Sequence, residues 1–297
     1  MDATNQLGDF LRARREQVRP EDVGLGPGVG LRRVPGLRRE EVAMLAGISA
    51  DYYLRLEQGR ERHPSVQVLD ALAGVLRLDP EATAYLIGLT RPRSRRAVRP
   101  AVERVPASVL HLVRELPMPA FVQNRYLDIL ASNRMARALS PNLAPGANRL
   151  RAVFLDAAER ELFRDWRQAM QSVVGQLRAD SAGDADDPRL TALVGELSLK
   201  SDCFRQLWAR HEVRRREGVV SRLHHPEVGD LDLYCDKLAV AGAEGQLLVI
   251  YHAEPGTESA RSLALLGSIA ASTPDGGADG GADSLRAGDP AGLYPLE

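Results

Sequence analysis

The chain has 297 residues, 39 basic and 40 acidic, with a formal charge of −1 and 44% apolar side chains. That is enough apolar material for one or two real cores, and no apolar run approaches the roughly 20 residues of a membrane span. Met1 to Phe10 has neither the basic start nor the apolar run of a secretory signal. The two cysteines, Cys203 and Cys235, give no disulfide framework and no paired metal spacing, so a reducing cytoplasm is the expected compartment and no metal or cofactor is expected.

The near-zero charge hides an asymmetry. Residues 1–100 hold 17 arginines and 13 acids, a net of +4, whereas residues 101–297 hold 22 basic and 27 acidic residues, a net of −5. A basic head on an acidic body is the direction expected of a nucleic-acid-binding unit carried by a second domain. Lysine occurs only at Lys200 and Lys237, which points to a GC-rich genome more than to function.

In chain order, Leu7 to Gln17 reads as a helix with Leu7, Phe10 and Leu11 on one face and Arg12, Arg14 and Arg15 away from it or flanking it. Residues 20–37 carry three prolines and five glycines and read as a loop, with Arg32 and Arg33 within reach of a phosphate. In Arg38 to Gln58, Val42, Leu45 and Ala46 share a helical face. Gly47 ends that helix, Ile48 plugs the corner, and Ser49 caps a second helix through Tyr53 and Leu56. This is the helix-turn-helix arrangement that places its second helix in the major groove. Arg38 and Arg39 open the first helix, where cations oppose the helix dipole, so a phosphate is their expected partner. Ser49, Ala50, Asp51, Tyr52 and Arg55 lie on the first turns of the second helix, the part that meets base edges, and Gln58 and Arg60 follow at its end. Glu57 opposes the dipole there and is expected to pair with Arg38 or Arg60. Ser65 caps a fourth helix over Val66 to Leu76, and Asp79-Pro80 opens a fifth to about Leu89.

Residues 91–101, with five arginines between Arg91 and Arg99, read as a basic linker or a strap along the DNA backbone. Beyond it, Pro106 to Leu116 reads as a helix, Ala120 to Ser132 as two strands around a turn at Asn124-Arg125, and Asn133 to Leu139 as a short helix. Asn148 to Leu155, Ala157 to Arg178, Pro188 to Leu199 and Asp202 to His211 read as helices. Gly218 to Leu223, Asp230 to Leu238 and Gln246 to Ala253 alternate as strands, with Leu231, Leu233, Cys235, Leu247, Val249 and Tyr251 facing one way. Leu263 to Ile269 is a last helix, and residues 272–297 read as a disordered tail. The expected class is α+β: a five-helix all-α head over residues 1–90, then residues 102–271 as one antiparallel sheet covered by helices.

Glu41 to Ser49, Tyr53 to Gly59 and Pro64 to Ala73 resemble the phage-repressor or XRE-type helix-turn-helix family. The insert Pro20 to Leu25 through Val34 to Leu37 is similar to that of MmyB-like regulators of actinobacteria. Phe121 to Ala138, Asp187 to Arg210 and His225 to Gly256 resemble the MmyB-like ligand-binding domain. That resemblance implies a PAS-like fold able to hold a fatty acid. A long-chain acid needs an apolar tunnel and a cation or donor at its mouth. Phe121, Leu130, Phe154, Trp166, Phe204, Leu207 and Trp208 are the candidate lining, and Arg205, Arg210 and His211 the candidate carboxylate partners.

Catalysis is disfavoured. Asp232, Asp236 and His224-His225 suggest acid-base work, but no further ligand stands at metal spacing and no phosphate loop or nucleophile motif is present. The expectation is a DNA-binding transcription regulator, working as a homodimer on a palindromic site in double-stranded DNA, whose body senses a small apolar ligand. The alternative is a body that serves as a dimerisation or protein-partner module.

Overall fold

The computed structural model describes residues 5–26, 36–90, 103–181, 187–213 and 220–272. The arginines at 32, 33 and 91–99 and the tail beyond 272 lie outside the described residues.

The head contains α1 (Gln6–Gln17), α2 (Arg39–Leu45), α3 (Ala50–Glu57), α4 (Val66–Val75) and α5 (Pro80–Thr90). Where the sequence suggested only loop, Pro20–Val23 forms a 3-10 turn, with proline at its first position and Gly24 closing it. Leu7, Phe10, Leu11, Val42, Tyr53, Leu56, Leu69, Leu72 and Leu86 make one core. Its tightest approach is at Gly8, where an added Cβ would stand 2.1 Å from the Glu57 carbonyl oxygen. The α2–α3 corner is built as its residues suggest. Gly47 takes a φ of +68°, Ile48 packs against the core, and the Ser49 side chain accepts from the Tyr52 amide at 3.1 Å.

The body opens with α6 (Ala107–Glu115), β1 (Ala120–Gln123), β2 (Ile129–Ser132) and α7 (Arg134–Leu139). A helical stretch follows: α8 (Arg149–Leu155), α9 (Ala157–Leu162), α10 (Trp166–Asp180), α11 (Pro188–Lys200) and α12 (Asp202–Ala209). The chain returns through β3 (Val220–His225), β4 (Gly229–Ala239) and β5 (Leu247–His252) to α13 (Glu258–Ser272). The five strands form one antiparallel sheet in the order β2-β1-β5-β4-β3. Pleating sets the faces. Phe121, Leu231, Leu233, Val249 and Tyr251 look toward α7 and α13, while Val122, Leu248 and Ala131 look the other way, against α6. At the β1–β2 turn the Asn124 side chain accepts from the amides of Tyr126 and Asp128, both at 2.9 Å.

Two elements differ from the sequence expectation. The single helix over Ala157 to Arg178 is two, because Phe163 bridges to Leu223 and the Arg164 amide donates to the Arg222 carbonyl at 3.0 Å. The strand edge thus takes the backbone that would have continued the helix, and Asp165 recaps α10 through the Gln168 amide. Leu162, Trp166, Met170 and Val173 stay in phase across the break, so periodicity conceals it. The last helix is longer than Leu263 to Ile269, beginning at Glu258.

The two units touch. Val213, just beyond α12, is 1% exposed within the head's core, with Ala179 of α10 at its margin.

Candidate functional site

Arg38, Arg39, Ser49, Ala50, Asp51, Arg55, Gln58 and Arg60 are all exposed and Tyr52 half-buried, so all nine candidate residues reach the surface: Arg38 and Arg39 open α2, Ser49, Ala50, Asp51, Tyr52 and Arg55 lie at the start of α3 and along it, and Gln58 and Arg60 lie past its end. Arg55 pairs with Asp51 at 3.1 Å, one helical turn back, and its guanidinium lies 5.7 Å from the centre of the Tyr52 ring. That pairing holds the arginine extended along the outer surface of the helix. The Arg38 amide donates to Glu41 at 2.6 Å, closing the first turn of α2.

Glu57 is fully buried, and its partners are not Arg38 or Arg60. One carboxylate oxygen accepts from Arg15 Nε at 2.7 Å and the other from Arg39 Nε at 2.6 Å. Arg15 also donates to the Leu37 carbonyl at 2.9 Å. Tyr53 lies alongside, its phenol pKa raised by burial and by Glu57. Sequence spacing hides this cluster, because Arg15 and Glu57 are 42 positions apart. Only the placement of a charge among core residues at the end of α3 signals it.

In the body, a cavity of about 80 Å³ lies between α10 and the sheet. Gln168, Ala169, Ser172, Val173 and Gln176 of α10 form one wall. Ser221, Arg222, Cys235, Lys237 and Tyr251 of the sheet form another, and Arg149 and Val153 of α8, Leu127, Phe163 and Asp165 close it. Arg149 is the chemical centre. Its side chain is buried, and no carboxylate lies within ion-pair distance of it among the described residues. Its Nη2 donates to the Tyr251 hydroxyl at 3.3 Å, its guanidinium lies 5.3 Å from the Phe121 ring centre, and its Nε has no partner. Burial raises the pKa of Tyr251, which therefore stays a neutral hydroxyl. Lys237 donates to Gln176 Oε1 across the cavity. Glu159 acts on Arg149 through space but does not touch it, so the buried guanidinium keeps donors for an anion.

The expected ligand residues lie elsewhere. Phe121 comes nearest, under Arg149. Leu130 is on the opposite face of the sheet, beside α6. Phe154, Trp166, Phe204, Leu207 and Trp208 pack together among α8, α10, α11 and α12, with Phe154 edge-on to Phe204 at 5.2 Å and Trp208 stacked on Phe204 at 5.8 Å. Arg205 pairs with Asp202 at 2.8 Å on the surface. Arg210 and His211 stand at the head–body junction. Sequence reading missed Arg149, Lys237 and Tyr251. Arg149 follows the capping Asn148 at the start of a short helix, an unremarkable setting for an arginine.

Three of the four residues considered for catalysis have side-chain partners, and Asp232 lines a pocket with Arg164, Asp165 and Arg222. His224 meets Asp230 at 2.7 Å, His252 meets Asp236 at 2.8 Å, and His225 meets the Ala138 carbonyl at 3.0 Å.

Comparison with known families agrees with this division. Residues 6–86 match a helix-turn-helix domain, and residues 105–266, over half the chain, match the MmyB-like transcription regulator ligand binding domain. No curated protein matches the chain. A DNA-binding head joined to a ligand-binding body is the architecture of a ligand-responsive transcription regulator, and the chain belongs to the MmyB-like transcription regulators.

Proposed function

We propose that this regulator works in the cytoplasm as a homodimer on a palindromic operator, reading bases through the first turns of α3. We propose also that its body senses a small apolar acid, fatty-acid-like, with the carboxylate held by Arg149. The observation that carries the ligand reading is the buried guanidinium without a carboxylate partner on a cavity whose other walls are partly apolar. Lys237, Arg222 and the Tyr251 hydroxyl add donors around the same space. Strand order β2-β1-β5-β4-β3 with a helical crossover between β2 and β3 supports the PAS-like reading of the body.

Size sets a condition on binding. The cavity, about 80 Å³, is well below the roughly 300–1,000 Å³ of common ligand pockets. An acid with a long chain must therefore part α10 from the sheet as it enters.

Native mass spectrometry with organic extraction tests whether the purified chain carries a lipid. Calorimetry with dodecanoate and dodecanol then tests the anchor. Dodecanoate is expected to bind and dodecanol to bind far more weakly. Arg149→Gln is expected to weaken dodecanoate about 10- to 100-fold, the loss of a charge-assisted hydrogen bond, without unfolding the body. Equal affinity for the acid and the alcohol, or for wild type and variant, overturns the assignment. An absence of any apolar ligand favours a body that serves as a dimerisation or partner module.

A further inference from the structure

Arg178, in the last turn of α10, is a second buried guanidinium with no carboxylate within ion-pair distance among the described residues. Its bonds hold the stretch that joins the two units. On the body side its Nη2 donates to the Trp208 carbonyl, and its Nη1 donates to His211 Nδ1 at 2.9 Å. The guanidinium also lies 4.0 Å from the Trp208 ring centre. On the head side the Tyr85 ring of α5 lies close enough to act on its charge, and Ala179, the next residue of α10, packs on the head's core. A guanidinium only donates, so His211 must offer a lone pair at Nδ1 and stay neutral. Around this bond the junction is tight. Gln17 of α1 donates to the Arg210 carbonyl at 2.7 Å, and Val213 is buried in the head's core.

The same helix walls the cavity. Ser172 precedes Arg178 by six residues, about 9 Å along the helix axis at 1.5 Å per residue. One rigid element thus has its middle on the cavity and its end on the head.

We propose that α10 couples the cavity to the seating of the head: Arg178 holds the Trp208–Val213 stretch that docks on the head, and whatever parts α10 from the sheet loosens that clamp. The proposal rests on the cavity being the ligand site, and it names how that site is read out. Asp51 and Arg55 are exposed in the clamped form, so clamping leaves the DNA face uncovered and sets instead the direction in which the head points. A dimer reads two half-sites about one helical turn apart, so a released head loses affinity for a palindrome and keeps it for a single half-site. Coupling of this kind is reciprocal, since each site biases the same two states.

Reciprocity makes the test independent of any ligand. In full-length protein carrying Cys203→Ser, Cys235 is the only thiol, and it lines the cavity. Gln17→Ala leaves the head's core intact and removes the donor that α1 gives the Arg210 carbonyl. It is expected to raise the maleimide labelling rate of Cys235 about two- to tenfold, the scale of one lost hydrogen bond. Conversely, Ser172→Phe fills the cavity from α10 and is expected to raise amide exchange of α5 by a similar factor. Ala169→Leu is the smaller filler should the phenylalanine disrupt folding. If Cys235 labelling stays at the wild-type rate in Gln17→Ala, or α5 exchange is unchanged by both fillers, the coupling is overturned. Dodecanoate calorimetry reads the ligand assignment separately, so its failure is distinguishable from failure of the clamp.

Discussion

Arg39 and Arg55 illustrate how one residue type divides its work by what stands beside it. Arg55 is held by a surface pair with Asp51, and such exposed pairs contribute little to stability, so its substitution leaves folding nearly unchanged. Arg55→Ala is expected to cost roughly 1–3 kcal/mol on the cognate site and to relax specificity at one base pair. Equal loss on every sequence, measured by competition binding, would make it a phosphate contact instead. Arg39 spends its Nε on Glu57, leaving its other guanidinium donors at the exposed end. Arg39→Ala is expected to weaken all DNA sequences and flatten the salt dependence by about one unit; an unchanged slope sinks that role. Glu57 belongs to the fold. Glu57→Ala strands Arg15 in the core without a counter-charge and is expected to cost about 3–5 kcal/mol, read as a lowered urea midpoint.

At the scale of elements, the break between α9 and α10 shapes the body. It turns Phe163 onto the β3 edge and aims α10 across the sheet, which opens the cavity under it. Asp165 secures the new start by accepting from the Gln168 amide at 3.0 Å. Asp165→Ala is expected to cost about 1 kcal/mol in thermal unfolding, the loss of one cap, whereas Asp165→Asn should cost little. The helices of the head were legible throughout, because each carries its own cap and its own apolar face. The α9–α10 break was not, because the apolar stripe stays in phase across it and the partner that interrupts it, Leu223, is distant in sequence.

At the scale of the whole molecule, His211 makes the head–body junction sensitive to acid. Burial first, then the positive charges of Arg178 and Arg14, pull its pKa down to about 3 from an ordinary 6.5. The unfolded chain therefore binds the proton more readily, and this contribution is complete above pH 6.5 and is lost as pH falls toward 3. Between pH 6.5 and 5.0 the chain is expected to lose about 2 kcal/mol of stability at roughly 1.4 kcal/mol per unit. His211→Gln, which offers an acceptor that does not titrate, should abolish that slope in urea midpoints measured across the range.

What the sequence determined by itself is what short-range chemistry specifies: the capped helices, the Gly47 corner, the alternating strands, the α+β class and the exposed face of α3. Each is encoded within a few residues, where hydrogen-bonding partners are near neighbours and periodicity reports burial directly. Tertiary structure alone decided which charges are buried and what they meet. Arg15 reaches Glu57, Arg149 reaches Tyr251 across 102 positions, and Arg178 reaches His211 across 33. A guanidinium at the end of a six-atom side chain carries no local sign of its partner, since burial and pairing are properties of the packed layers around it.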